Sequence, residues 1–270
     1  MTRGSHLLTD VELEDALRDL QLSQADSDKL NELSSLVNLA QIHVQRSGWH
    51  AAIASLTLAE ELASSLGAVA LKLEILDSLG RALRMNGEMT NALEAFSRAG
   101  ALANDLDNER AVAVALVNQG AVWRLLGDSD RARELLVRSI KLLERDASDM
   151  PGEIATAYAH LAGAEAKRKD FSAAVDAFDE SLLYARQASD WLLEARVLRW
   201  LGWIMQIQHE WLQAIDLFGQ SLALMRAHAE GEENNPELRE LLLDLAKSHE
   251  VLGQDAEAES LRRLARHSAP

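Results

Sequence analysis

The 270-residue chain has no cysteine, which excludes disulfides, thiol nucleophiles and thiolate metal sites. It has only three prolines and no sustained alternation of apolar and polar residues, so helix is the element it can build throughout. Aromatics make up 4% of the residues, and the core must therefore be mostly alanine and leucine, as close helix packing requires. No apolar run reaches the roughly 18 residues of a membrane helix, and the N-terminus, MTRGSHLLTD, lacks the hydrophobic segment of a secretory signal. A cytoplasmic location is the expectation. The RGSH of residues 3–6 reads as an expression remnant, which leaves the natural start of the protein in question. Basic residues are outnumbered 27 to 43, and the resulting charge of −16 speaks against nonspecific binding to nucleic acid or to an anionic membrane.

Catalytic ingredients are scarce as well. None of the eight histidines forms an HExxH motif or pairs with another at i+4. The acidic pairs Glu60–Glu61 and Glu232–Glu233 are sequence neighbours that diverge around a helix. Glycines do not gather into a phosphate-cradling loop. The expectation is a protein without catalysis, metal or cofactor.

What the sequence does have is a repeat. Trp211, Ala214 and Phe218 fall at i, i+3 and i+7 on one helix face. Aligning on Ala214 picks out Ala52, Ala92, Ala132, Ala174 and Ala258, at steps of 40, 40, 42, 40 and 44 residues. Twelve residues ahead of each lies a small residue: Ala40, Gly80, Gly120, Ala162, Gly202 or Ala246. Leucine precedes all of these except Gly120, which follows Gln119. Four residues past the anchors stand Leu56, Phe96, Leu136, Phe178 and Phe218, with Arg262 the exception. Seven past are Ala59, Ala99, Ser139, Ser181, Ser221 and Ala265. Four columns in phase over most of the sequence define an array of helical hairpins.

These hairpins resemble the tetratricopeptide repeat. LGWIMQIQHEWLQAIDLF (201–218) and LAGAEAKRKDFSAAVDAF (161–178) are the closest copies, and LGRALRMNGEMTNALEAF (79–96) lacks only the first aromatic. Two features depart from the family. The period is near 40 where about 34 is usual, which points to longer helices or an extended connection between repeats. The closing proline is missing, and the early tryptophan column holds Leu36, Leu76, Leu116, Tyr158, Leu198 and Leu242. Longer-period repeats of this sort resemble those of bacterial regulatory and adaptor proteins. The resemblance implies an all-α fold, a right-handed α-solenoid of about six hairpins with a short N-terminal helix. The hairpins are expected at about 27–65, 68–105, 108–146, 152–188, 190–229 and 236–266 in one array over 27–266. Residues 1–26 form an extension with a capping helix, and 267–270 a tail.

Local signals refine this. Thr9 or Asp10 can cap a helix over 11–20, and the first A helix is expected from Asp26. Asn86–Gly87 and Gly127–Asp128 read as turns, and Asp190 as an N-cap. Asp146 to Gly152 reads as a linker, and AEGEENNPELRE as the clearest break, with Pro151 and Pro236 opening the helices that follow.

In arrays of this family the first helix of each hairpin lines the concave surface. Helical periodicity then turns Asn38, Gln41, Arg81, Arg84, Asn118 and Arg124 inward, and further along Arg196, Arg199, Trp200 and Trp203. The arginines can hold a carboxylate or phosphate through bidentate donors, the asparagines can pair with an extended peptide backbone, and the tryptophans can supply an apolar hot spot. A competing reading pairs Arg81 and Arg84 with Glu74 and Asp77 along one helix, worth ~0.3–0.5 kcal/mol each, and packs the tryptophans between repeats. The function this favours is a noncatalytic scaffold or adaptor for a protein or peptide, with an acidic or C-terminal carboxylate segment as the partner. Two others stand beside it: a ligand- or peptide-responsive regulatory domain of a larger signalling or transcription protein, and a homo-oligomer assembled through its end repeats.

Overall fold

The computed structural model describes residues 2–146, 150–228 and 236–267, and every regular element among them is helical. The protein is an all-α helical repeat array that divides into two compact units, residues 1–128 and 129–270. The first unit holds α1 (Thr2–Ala25), α2 (Lys29–Gln45), α3 (Trp49–Leu66), α4 (Val69–Met85), α5 (Met89–Asp105) and α6 (Glu109–Leu126). The second holds α7 (Ser129–Leu143), a 3₁₀ turn at Glu144–Asp146, α8 (Pro151–Lys167), α9 (Phe171–Gln187), α10 (Trp191–Ile207), α11 (Trp211–His228), α12 (Pro236–Val251) and α13 (Asp255–His267). Within each unit every helix packs on the next, and alternate helices also touch: α4 with α6, α8 with α10, α10 with α12.

The period near 40 has a simple origin. From α2 to α6 each helix is 17 or 18 residues long, and the connections between them are two or three residues. The added length over the ordinary repeat is therefore in the helices. Each first-to-second helix turn is closed in the same way, by a residue with positive φ: Ser47, Gly87, Gly127, Lys169, His209 and Gly253. The N–H that follows it donates to a carbonyl five residues back, as from Gly48 to His43, Glu88 to Leu83 and Glu210 to Met205. This is the Schellman arrangement, which satisfies carbonyls left open at a helix end. Ser47, Lys169 and His209 take the left-handed conformation without being glycine, each at a cost of roughly 1–2 kcal/mol that the surrounding packing must offset. At the opposite ends, Asp28, Asn108, Asp170 and Asp190 cap α2, α6, α9 and α10 by accepting from the backbone N–H three residues on.

The N-terminal helix differs from the 11–20 segment, since α1 spans Thr2–Ala25. Its Ala16, Leu13 and Leu20 pack against Leu39 and Ile42 of α2, so an apolar stripe on α1 is what holds it to the repeats. The first repeat helix begins at Lys29 and not at Asp26, because Asp28 is the residue whose carboxylate caps it. Residues 147–149 of the linker, 229–235 of the acidic break and 268–270 of the tail lie outside the described residues.

The repeat columns become contacts. A Cβ on Gly80 would lie 2.5 Å from Cε1 of Phe96, and one on Gly202 would lie 2.6 Å from Cε1 of Phe218. Each glycine thus lets an aromatic ring lie flat on its helix. At two serines of the seventh position past the anchor the hydroxyl bonds the partner helix: Ser181 donates to the Ala155 carbonyl (2.8 Å) and Ser221 to that of Ala195 (2.7 Å). Gln119, the break in the leucine series, donates to the Phe96 carbonyl at 3.4 Å. Arg262, the other exception, forms an ion pair with Glu250.

Candidate functional site

In the first unit the sequence-selected residues fall on α2, α4 and α6. Asp77 sits at the centre of this cluster. Its carboxylate accepts from the Asn118 amide at 2.7 Å and forms an ion pair with Arg81 at 3.1 Å, four residues on along α4. Asn118 is therefore committed to α4, and Arg81 is half of the intrahelical pair that the competing reading described. Burial, partly offset by Arg81 and by the Asn118 hydrogen bond, raises the Asp77 carboxyl above its ordinary value. Arg84 and Arg124 carry further positive charge. Burial lowers the guanidinium of Arg84, Arg81 lowers it further, and Asp77 works in the opposite sense. The Arg124 guanidinium is lowered by burial and then by the charge of Arg84. Three arginines thus act on one another in series, from Arg81 through Arg84 to Arg124.

Arg81 and Arg84 line a cavity of about 510 Å³ whose walls come from α2, α3 and α4. Its deep side is apolar, because Ala40, Leu56 and Ala82 there are each no more than 2% exposed. Its rim carries Gln41, Ser78, Val44 and Met85. Val44 and Met85 are 39% and 53% exposed, which leaves apolar surface facing solvent beside the guanidinium groups. The Nε–H of Arg84 is shut off from solvent and has no acceptor among the described residues, a state that costs roughly 1–3 kcal/mol. Asn38 is exposed on α2 and does not line the cavity. Sequence reading missed Trp49, Leu56 and Met85 as lining residues. The signal was there for Met85, an apolar residue at the solvent-facing end of α4.

The second unit also brings its residues together, but with the charge neutralised. Arg196 reaches Glu237 of α12 through two hydrogen bonds, 2.9 Å from Nε and 2.6 Å from Nη2. Arg199 reaches Asp244 at 2.9 Å and Glu240 at 2.9 Å. The Glu237 carboxylate raises the Arg196 guanidinium above its usual range. Next to them Gln206, 6% exposed, donates to the Asp244 carbonyl and to the Ser248 hydroxyl, both at 2.8 Å. These contacts tie α10 to α12. The pocket lined by Arg196, Arg199 and Trp200 holds about 160 Å³. Trp200 stacks on Phe178 at a centroid distance of 5.6 Å, which makes it part of the packing of α9 on α10. Trp203 is 46% exposed.

Among the described residues no helix is long and apolar enough to cross a membrane, and no group of three His, Asp or Glu is placed to hold a metal ion.

Residues 153–227, covering α8 to α11, match the family model described as tetratricopeptide repeat. No curated protein matches the sequence. Among solved structures the protein is similar to the apo form of RapI, with TM-score 0.71 and 12% identity over 99% of this chain and 95% of that one. A Signal Transduction ATPase with Numerous Domains protein with a tetratricopeptide repeat sensor, from Pyrococcus horikoshii, is similar with TM-score 0.71 and 11% identity. That match covers 94% of this chain and 38% of the other. A putative kinesin light chain with tetratricopeptide-like repeats from Podosopora anserina aligns with TM-score 0.56 and 17% identity over 72% of this chain and 93% of its own. At these identities the likeness is one of fold, a helical repeat array, and the tetratricopeptide-repeat family match is confined to residues 153–227.

Proposed function

We propose that the protein is a noncatalytic scaffold that binds a protein or peptide segment, with the surface of α2, α4 and α6 as the contact face. The observation that carries this reading is the cluster of Arg81, Arg84 and Arg124, three cations that act on one another in a protein of charge −16. Like charges held together favour an incoming anion, and guanidinium groups recognise a carboxylate through paired donors. The partner is an acidic segment or a free C-terminus. In the second unit Arg196 and Arg199 already have their carboxylates from α12, so they serve to hold two repeats together, and Trp203 is the residue there that remains for an apolar contact.

A peptide library displayed with free C-termini, selected against the full-length protein, tests this. Acidic or free-carboxylate sequences should be enriched, and Arg81→Glu, Arg84→Glu and Arg124→Glu together should abolish the enrichment while circular dichroism stays unchanged. Selection of the same sequences by the folded triple variant would overturn the reading. A second reading, a ligand-responsive regulatory domain, is favoured by one feature, the 510 Å³ cavity beside the same arginines.

A further inference from the structure

We propose that the cavity walled by α2, α3 and α4 binds a small amphipathic organic anion, with an apolar body of about ten carbons and one carboxylate, for which its volume of about 510 Å³ has room. This goes beyond peptide capture on the helix surface, because the ligand enters between helices.

Two properties of the cavity define the ligand, and neither alone would do so. The first is charge. Arg81 and Arg84 both line the cavity, and the Nε–H of Arg84, closed to solvent, has no acceptor among the described residues. Asp77 is already engaged by Arg81 and Asn118, so the local carboxylate does not supply that acceptor. A carboxylate entering the cavity instead meets the guanidinium groups of Arg81 and Arg84 at its wall. The second is apolar depth. The buried methyl and isobutyl groups of Ala40, Leu56 and Ala82 give an anionic head nothing to bond, and the exposed Val44 and Met85 at the rim gain by being covered. Inorganic phosphate or acetate would meet the arginines and leave the depth unfilled. A neutral hydrocarbon would fill the depth and gain nothing from the guanidinium groups at the wall. A molecule that satisfies both has one charged end and one apolar end. The 160 Å³ pocket of the second unit is a contrast within the same protein. It is smaller, and Arg196 and Arg199 at its wall are already held by Glu237, Glu240 and Asp244.

Isothermal titration of the full-length protein with decanoate, decan-1-ol and acetate, each below its aggregation or solubility limit, tests the inference. Decanoate should bind one to one, and decan-1-ol and acetate at least tenfold more weakly. Arg84→Met keeps the length of the side chain and removes its donors. It should weaken decanoate at least tenfold and leave decan-1-ol unchanged. Trp49, which lines the cavity, gives a second readout, since a change in tryptophan emission on adding decanoate should be lost in Trp49→Phe. Three results would overturn the inference: no saturable decanoate binding, decan-1-ol binding as tightly as decanoate, or decanoate affinity unmoved by Arg84→Met. Peptide selection is read separately, so loss of peptide enrichment with decanoate binding intact would remove the scaffold reading and leave this one standing.

Discussion

Replacing Gly80 with alanine places a methyl group 2.5, 2.7 and 2.8 Å from three ring carbons of Phe96. Carbon pairs normally rest about 3.5–4.0 Å apart, so the overlap is about 1 Å. The ring has no easy escape, because Phe96 is 0% exposed and packed in the core of the first unit with Ala92, Leu79 and Val122. Overpacking of this kind costs about 1–3 kcal/mol, and the helix preference of alanine over glycine returns about 1. Gly80→Ala is therefore expected to destabilise by about 1 kcal/mol. The decisive variant is the double one. Phe96→Leu alone removes buried carbons at about 1–2 kcal/mol, but it also clears the space above position 80. In that background the added methyl should stabilise. The first repeat already uses this combination, with Ala40 12 residues ahead of its anchor and Leu56 four past it, both 2% exposed. Urea unfolding followed by circular dichroism and tryptophan fluorescence gives the four stabilities of the cycle. A favourable coupling of about 1–3 kcal/mol is expected, and additivity within about 0.5 kcal/mol would refute the claim that glycine stands there for the ring.

Other perturbations separate the polar contacts. Ser221→Ala removes a buried hydrogen bond to the Ala195 carbonyl and should cost about 1–2 kcal/mol in the same unfolding assay, with no loss pointing instead to a purely steric role. Arg199→Met should cost more than Arg196→Met, the latter no more than about 1 kcal/mol, because the Arg199 side chain is 24% exposed and the Arg196 pair lies nearer solvent at 43% and 37%. Equal shifts in melting temperature would contradict that ordering. Asp77, whose carboxyl is raised chiefly by burial, contributes stability that is full below the ordinary value of 3.8 and is lost as pH rises through its folded value. The stability of the wild type relative to Asp77→Asn should therefore fall on going from pH 3.5 toward neutrality, and a flat difference across that range would show that the carboxyl is not perturbed.

The helices were legible because two signals coincide on the same residues. The alanine anchors step by 40, 40, 42, 40 and 44, and the positive-φ turn residues from Ser47 to Gly253 step by the same intervals. Neither Lys169 nor His209 advertises a left-handed turn as glycine does, yet the columns on either side fix where the turn must be. What the columns concealed was hydrogen bonding. Ser181 and Ser221 read as small residues, and only the neighbouring helix, with its carbonyls at Ala155 and Ala195, shows why a hydroxyl is used. Helical period grouped Gln41, Ser78, Arg81 and Arg84 on one side of α2 and α4, and all four line one cavity. The depth of that cavity was not legible in the sequence, because it depends on Leu56 of α3 and on how far α2 and α4 stand apart.

For Arg84, Arg196 and Arg199 the neighbour was nevertheless written one repeat further along the sequence. First helices of successive hairpins lie side by side, as α10 does with α12 and α4 with α6. A residue on one therefore faces the residue about one period later on the other. For Arg196 and Arg199 that residue, 41 positions on, is Glu237 and Glu240, and both pairs form. Asp77 meets Asn118 at the same offset. Arg84 has Arg124 at an offset of 40, and their charges act against each other. Reading the array at its own period, and not only along each helix, separates arginines that bind repeat to repeat from those that meet a like charge opposite. On that criterion Arg84→Glu should pair with Arg124 and raise stability even as it removes binding of a carboxylate ligand. A structural role for Arg84 predicts the reverse, a loss of stability with ligand binding following it down.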